Sequence, residues 1–257
     1  MSRSFDACLV LLTDGSLPRV WSLIVTIFGD MAQGDGDTLS SQAINRITDR
    51  IGIKPAATRV ALHRLKADGW LWSRRQGRTS DYGLTETGRA ESALVSPRIY
   101  GQAEAPRAWH LVIANPDNRR ALETLIAKGS HLPAMPGIAV GAGAQAPTHP
   151  DLMGLPTPDE APDWLRSALC DPRLRDACHA LLERFTALRS ALPEDLSPCE
   201  TAALRVLIVH DWRRLVLRVP DLPEQLFPTD WAGPQCRALL SELLERLPAP
   251  DAQSLAA

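Results

Sequence analysis

Apolar residues between positions 20 and 51 recur at intervals of three and four, the spacing of the buried face of an α-helix. The first of these helical runs ends at Gly29, and the second begins at Ser40 or Ser41 and ends at Gly52. Pro55 then stands just inside a third helical run, where its missing N–H is tolerated. The connection between the second and third helices is therefore short, as a helix-turn-helix unit requires. The predicted buried positions of the first two helices are Val20, Trp21, Ile24, Val25, Ile27, Phe28, Ile44, Ile47 and Ile51.

The third helix, from about Lys54 to Asp68, is predicted to be amphipathic when its residues are placed about 100° apart around the axis. Its inner stripe is predicted to consist of Ala57, Ala61 and Leu65, flanked by Val60 and Leu62. Its outer face is predicted to carry Arg59, His63 and Lys66. A recognition helix docks on its neighbours through such a stripe and places such a basic face in the major groove. An amphipathic helix with an ordinary solvated face is the alternative.

The segment after Gly69 alternates between strand-forming and turn-forming residues. Trp70 begins an extended stretch, Gly77 is placed for a turn, and the chain returns through Leu84. Thr85 then caps a fourth helix that runs to about Val95. Three helices, a hairpin and a helix predict a winged helix-turn-helix. The arginines at or near the tip of the wing, Arg74, Arg75 and Arg78, are predicted to hold phosphate or enter a minor groove.

The rest of the chain follows two further patterns. Trp109–Ala114 reads as a buried strand, Arg119–Lys128 as a helix and Gly137–Val140 as a second strand, and the Gly-, Ala- and Pro-rich stretch up to Pro162 reads as a loop. This order fits a small ferredoxin-like α+β unit. From Asp163 onward the spacing is helical. The predicted fold is therefore mostly α with α+β parts, in three domains: 1–100 (winged helix-turn-helix), 101–162 (central ferredoxin-like) and 163–257 (C-terminal helical).

Charge singles out one of these segments as a functional surface. Seven lysines and arginines and one acid lie between Gly52 and Ser80, a local net charge of +6 in a chain whose total is −2. The seven basic residues are Lys54, Arg59, Arg64, Lys66, Arg74, Arg75 and Arg78. A basic island in an otherwise acidic chain is the electrostatic footprint of a surface that meets phosphates. Double-stranded DNA is therefore the predicted partner.

Other function classes lack their signatures in this sequence. The adjacent pairs His210-Asp211 and Cys178-His179 point about 100° apart on a helix, so neither forms a catalytic dyad by itself. A structural His210, with Asp211 pairing to Arg213 or Arg214, is the favoured interpretation. Five cysteines at irregular spacing indicate reduced thiols and neither a disulfide framework nor a zinc site. No membrane-spanning run and no export signal is seen. We therefore expect a cytoplasmic protein with no catalytic residues, metal or cofactor.

Several blocks of the sequence resemble the PaaX type of transcriptional regulator, repressors of phenylacetic acid catabolism. The matching blocks are SLIVTIFGD at Ser22–Asp30, RVALHRLKADGWLWSRRQGRTSDYGLTETG at Arg59–Gly88, RIY at Arg98–Tyr100, W-x-L-V-I at Trp109–Ile113 and HDWRRLVLRVPDLPEQLFPTDWAG at His210–Gly233. The resemblance implies a homodimer that binds a palindromic operator and is released by a coenzyme A thioester such as phenylacetyl-CoA. By position it carries over only DNA contacts: Arg59, His63 and Lys66 on the recognition helix, and Arg74, Arg75 and Arg78 on the wing.

Two questions stay open at this point. The protein is either an effector-controlled repressor or a scaffold whose winged helix contacts a protein. The tryptophans Trp164, Trp212 and Trp231 either fill helical cores or line a pocket for an aromatic acyl group. Arginines near them, Arg205, Arg213, Arg214 and Arg218, either meet coenzyme A phosphates or are solvated. No residue is assigned to effector binding.

Overall fold

Helices make up most of the described chain, and two antiparallel sheets contain its strands, in the computed structural model of the protein. The structure describes residues 4–13, 15–77, 79–102, 106–157 and 160–256. The predicted mixture of α and β structure is confirmed. Two compact units share the chain. The first contains Met1–Gln102, Ala180–Leu217 and Pro234–Ala257, and the second contains Ala103–His179 and Arg218–Gly233.

The first unit contains all of the elements predicted from the first hundred residues. Its helices are α1 (Phe5–Thr13), α2 (Val20–Met31), α3 (Ser41–Arg50), α4 (Pro55–Ala67), α5 (Glu86–Ile99), α9 (Pro198–Val216), α10 (Gly233–Arg246) and α11 (Ala252–Ala256). Its strands are β1 (Leu39–Ser40), β2 (Leu71–Gln76) and β3 (Thr79–Leu84), in the order β1-β3-β2 with antiparallel pairing.

Helix α9 supplies much of the core of this unit. It begins with a capping box, in which Ser197 accepts from the backbone N–H of Glu200 while the Glu200 carboxylate accepts from the backbone N–H of Ser197. Eleven of its nineteen residues are buried, among them Trp212, and it packs against α1, α2, α3 and α5. A helix that is apolar around most of its surface belongs in a core. The units therefore do not follow the three-part division predicted from the sequence, because α9 lies with the N-terminal helices.

The second unit is built on a four-stranded sheet. Its elements are β4 (Trp109–Ala114), α6 (Arg120–Ala127), β5 (His131–Met135), β6 (Ile138–Ala142), β7 (Leu152–Pro156), α7 (Asp163–Leu169) and a short 3-10 helix (Glu224–Leu226). Helix α8 (Pro172–Ala191) is divided between the two units. The strand order is β5-β6-β4-β7, with every neighbour antiparallel. Strands β5 and β7 were not predicted, and β7 lies in the stretch predicted as a loop.

One face of this sheet carries a pair of buried histidines. His110 on β4 and His131 on β5 both lie opposite Gly141 on the strand between them, and their Nε2 atoms are 3.0 Å apart. The Nδ1 atom of His110 is 2.8 Å from the carbonyl oxygen of Gly143, which can only accept, so this nitrogen carries the proton. In neutral His110 the Nε2 atom is then the acceptor for His131. Burial, followed by the nearby His110, lowers the pKa of His131.

We expect Gly141→Ala to lower the free energy of unfolding by about 1–3 kcal/mol, the usual range for an overpacked core. A Cβ atom at this position would lie 2.5 Å from the Nε2 atoms of both histidines, and both rings are buried. Urea unfolding measures the change. The control is Gly29→Ala, because a Cβ there meets only the Ser92 hydroxyl at 3.9 Å and helix propensity favours alanine. Equal stability of the two variants would contradict the packing argument.

Long apolar helices of the kind that cross a bilayer do not occur in the part of the chain that the structure describes.

Candidate nucleic-acid interface

The turn between α3 and α4 is short and fixed by its glycine. Gly52 has a φ of +91°, in the left-handed region that glycine enters without a steric cost. The side chain of Ser40 caps α3 by accepting from the N–H of Ala43, and Pro55 occupies the first turn of α4. The two helices are joined by a buried hydrogen bond in which the hydroxyl of Thr58 donates to that of Thr48 at 3.0 Å. This geometry holds α4 at a set angle to α3.

The buried face of α4 differs in part from the predicted stripe. Ala61, Leu62 and Leu65 are buried as predicted, and Thr58 joins them, completely buried. Ala57 and Val60 are exposed instead, Val60 to 70% of its surface. Their placement in or beside the docking stripe was therefore wrong. The hydroxyl of Thr58 is satisfied by Thr48, and this contact turns the helix so that Ala57 and Val60 face outward.

The exposed face of α4 is basic. Arg59, His63 and Lys66 are exposed on the side where the sequence placed them, and Lys54 is exposed at the N-cap. Within the described residues, none of these four side chains is in an ion pair or a hydrogen bond. Arg64 is different, because its guanidinium lies 3.6 Å from Asp68 and 5.4 Å from the ring centre of Trp21. The positive charges available to a partner are therefore those of Lys54, Arg59 and Lys66.

The hairpin of β2 and β3 carries the second part of the basic surface. Arg74 and Arg75 are exposed near its end, and Gly77 in the turn has a φ of +58°. Consecutive strand residues point to opposite faces, so the two arginines address different sides of the hairpin. Arg75 donates to the carbonyl of Gly77 at 3.3 Å, whereas Arg74 stands opposite Asp81. Arg78, the third predicted wing arginine, lies outside the described residues.

The base of the hairpin is held rigidly against the end of α4. The hydroxyl of Thr85 donates to the carbonyl of Gly69 at 2.7 Å, and it accepts from the N–H of Gly88 at 3.1 Å as the N-cap of α5. A Cβ at Gly88 would lie 2.4 Å from the carbonyl oxygen of Trp70, so only glycine allows this approach. The basic helix and the basic hairpin are thereby fixed next to each other.

Three of the other residues considered from the sequence, Asp211, Arg205 and Arg213, have structural contacts. Asp211 pairs with Arg184 at 2.7 Å, and the predicted pairing with Arg213 or Arg214 is not the one formed. Arg205 holds the Asp30 carboxylate through two hydrogen bonds, of 2.6 and 2.9 Å, so it is committed inside the protein. Arg213 donates to the hydroxyl of Ser22 at 3.1 Å. Among the described residues no three His, Cys, Asp or Glu side chains lie close enough together to hold a metal ion.

The three tryptophans fall into two groups. Trp212 is buried and donates from its indole N–H to the carbonyl of Ile99 at 2.7 Å. Trp231 is buried and stacks on Phe227 with ring centres 5.1 Å apart. Trp164 is 58% exposed. Trp212 and Trp231 therefore fill packed cores, each within its own unit.

Together these features define an α+β protein in which an exposed basic helix stands beside a basic hairpin. Residues 19–88 match the family model described as PaaX-like protein, and residues 171–257 match the model described as PaaX-like protein C-terminal domain. The two matches cover more than half of the chain, which belongs to the PaaX-like protein family.

A curated relative and a solved structure extend the comparison. The Transcriptional repressor PaaX of Escherichia coli (strain K12) is 28% identical over 263 residues, which cover 88% of this chain and 79% of the relative. This kinship points to a regulator that is not an enzyme. The Uncharacterized protein Rv0674 from Mycobacterium tuberculosis is similar in structure, with a TM-score of 0.50 and 23% identity over 82% of this chain and 90% of that one. The second likeness concerns the fold alone.

Proposed function

We propose that this chain is a DNA-binding transcriptional regulator, a repressor of an aromatic catabolic operon of the phenylacetic acid type. Helices α2 to α4 with the β2–β3 hairpin would form a winged helix-turn-helix. The observation that supports this most is the set of exposed cations on α4 and at its N-cap, Lys54, Arg59 and Lys66, which form no ion pair within the described part of the chain. The name of the Escherichia coli relative agrees with it. We further propose that the protein binds a palindromic operator as a homodimer and that a coenzyme A thioester such as phenylacetyl-CoA releases it.

We predict two different roles for the residues of this basic surface, the reading of bases and the binding of phosphates. An arginine on the outer face of a helix in the major groove can donate two hydrogen bonds to guanine, which makes Arg59 a base-reading residue. The exposed arginine Arg74 on the hairpin meets phosphates, which are the same at every sequence. His63 lies on the reading face one turn beyond Arg59. Lys66 and Lys54 act as point charges near the phosphate backbone.

We expect the full-length protein to bind a duplex carrying the region upstream of its own gene cluster at about 0.1 M salt, measured by fluorescence anisotropy. Arg59→Ala should lose the preference for this duplex over a scrambled one, at a cost of about 1–3 kcal/mol. Arg74→Ala should weaken binding to both duplexes equally and reduce the slope of log K against log salt by about one unit.

Adding phenylacetyl-CoA to the formed complex should release the labelled duplex.

Arg120→Ala is the matched control, since it removes one exposed arginine outside the basic surface. It should change neither the preference nor the slope. Identical effects of Arg59→Ala and Arg74→Ala would contradict the two roles. If no duplex is bound, the repressor proposal fails and the scaffold alternative replaces it.

A further inference from the structure

The outer face of α4 carries an aliphatic side chain among its charges. Val60 is 70% exposed and directly follows Arg59 in the sequence. His63 is three residues later, so on the helix surface it is a neighbour of Val60. Ala56 and Ala57, one turn earlier, are exposed as well. The reading face of α4 is therefore basic with a small apolar centre.

A single exposed aliphatic residue needs no explanation by itself, because much of any protein surface is apolar. Val10 on α1, for instance, is 68% exposed. What distinguishes Val60 is its surroundings, since Arg59, which is also exposed on α4, has no protein partner among the described residues. Cations without a protein partner attract a polyanion, and a polyanion bound to this face of α4 would lie against Val60. The charge of this face therefore indicates that the molecule in contact with Val60 is a polyanion.

Duplex DNA offers one aliphatic group at the edge of its bases in the major groove, the 5-methyl group of thymine. Valine suits this contact because its branched Cβ leaves one strongly preferred rotamer in a helix, so its methyl groups are already positioned. We propose that Val60 packs against a thymine methyl group in the operator and is a specificity-determining residue. This inference rests on the proposed DNA-binding function and adds to it a named apolar contact.

The test uses deoxyuridine, which pairs as thymine does but lacks the methyl group. The full-length protein first selects a duplex from a randomised pool, and each thymine of that duplex is then replaced singly. For the wild-type protein we expect one thymine in each half-site at which the replacement weakens binding about fourfold, the effect of losing one buried methyl contact. With Val60→Ala the same replacement should have no effect, since alanine lacks the two γ-methyl groups that extend from the helix to the thymine methyl group.

The matched control is Val10→Ala, which has the same residue type, the same substitution and nearly the same exposure. It should keep the fourfold thymine effect. Val60→Ala should remain folded, because it removes an exposed side chain and alanine is the better helix former. A thymine effect that survives Val60→Ala, or none at any position in the wild type, overturns the inference while leaving DNA binding intact. Failure to select any duplex overturns the proposed function, and this inference with it.

Discussion

Replacing Asp30 with alanine is expected to lower the free energy of unfolding by about 3–5 kcal/mol, the cost of leaving a buried charge without its partner. The side chain of Asp30 is 1% exposed and that of Arg205 is 12% exposed, so the pair is largely shielded from bulk water. Total stabilities of single domains are about 5–15 kcal/mol. The substitution should therefore remove a large part of the stability of the first unit.

The size of the effect follows from how many partners share this carboxylate. It accepts two hydrogen bonds from the guanidinium of Arg205, at 2.6 and 2.9 Å, and one from the phenol of Tyr100 at 2.6 Å. Burial, followed by the charge of Asp30, raises the pKa of Tyr100, so the phenol stays protonated and donates. Arg205 also donates to the carbonyl of Leu247 at 2.8 Å. One carboxylate thus joins α2 to the end of α5 and to α9.

Asp35 provides the control for this prediction. It pairs with Arg89 at 2.9 Å, but its side chain is 90% exposed, so water replaces the partner when the pair is broken. Asp35→Ala should change the stability by no more than about 1 kcal/mol. Urea unfolding followed by tryptophan fluorescence compares the two variants. If Asp30→Ala is as stable as Asp35→Ala, the buried network does not hold the helices together as argued.

The same network shows why part of this fold could not be read from the sequence. Asp30 and Arg205 are 175 residues apart, and each alone is an ordinary charged residue on a helix. The local elements α2 to α5 were predictable, because helical periodicity, the cap at Ser40 and the glycine after α3 are short-range signals. The position of α9 in the core of the first unit depends on long-range packing. A single sequence does not show which distant segments pack against each other.

The missed strands have a different physical cause. Strands β5 and β7 are the two edges of their sheet. Edge strands tolerate proline, and β5 contains Pro133 while β7 ends at Pro156. Both strands therefore lack the regular alternation by which a strand is recognised. The resulting strand order is β5-β6-β4-β7, and the described segment 143–151 contains no helix between the last two strands.

The candidate interface was more predictable than the fold around it, with one exception. The local excess of positive charge does not depend on how the chain folds, so the basic residues of α4 could be recognised by counting charged residues along the sequence. The buried face of α4 could be assigned only approximately, because Thr58 is buried although threonine counts as polar in a hydropathy pattern. The Thr48–Thr58 hydrogen bond decides the orientation and places Val60 outside.

His210 gives the second large effect, a loss of stability on acidification. The residue is 1% exposed, and burial together with Arg213 and Arg214 lowers its pKa from 6.5 to about 4. The hydroxyl of Thr26 donates to the carbonyl of Ser22 and stands 3.2 Å from Nδ1 of His210. The hydroxyl oxygen therefore accepts from Nδ1–H. The buried Nε2 atom, which has no hydrogen-bond partner among the described residues, keeps its lone pair, and the ring is neutral.

The direction of the pH dependence follows from the lowered pKa. Between pH 6.5 and pH 4 the unfolded chain binds a proton at this histidine and the folded chain does not, so stability is complete above pH 6.5 and is lost as the pH falls. A difference of this size corresponds to about 3 kcal/mol at pH 4. Because α9 carries His210 and α2 carries Thr26, the loss should loosen the contact between α9 and α2.

His210→Gln isolates this contribution, because glutamine keeps a hydrogen-bond donor but does not titrate. Urea unfolding of both proteins at intervals from pH 7 to pH 4 gives two stability curves. Every other titrating group, including His131, is present in both proteins, so its contribution to the free energy of unfolding cancels when the two curves are subtracted. The wild-type protein should lose about 3 kcal/mol more than the variant over this range. Parallel curves would mean that His210 takes up a proton as readily in the folded protein as in the unfolded chain, and the burial argument would then be wrong.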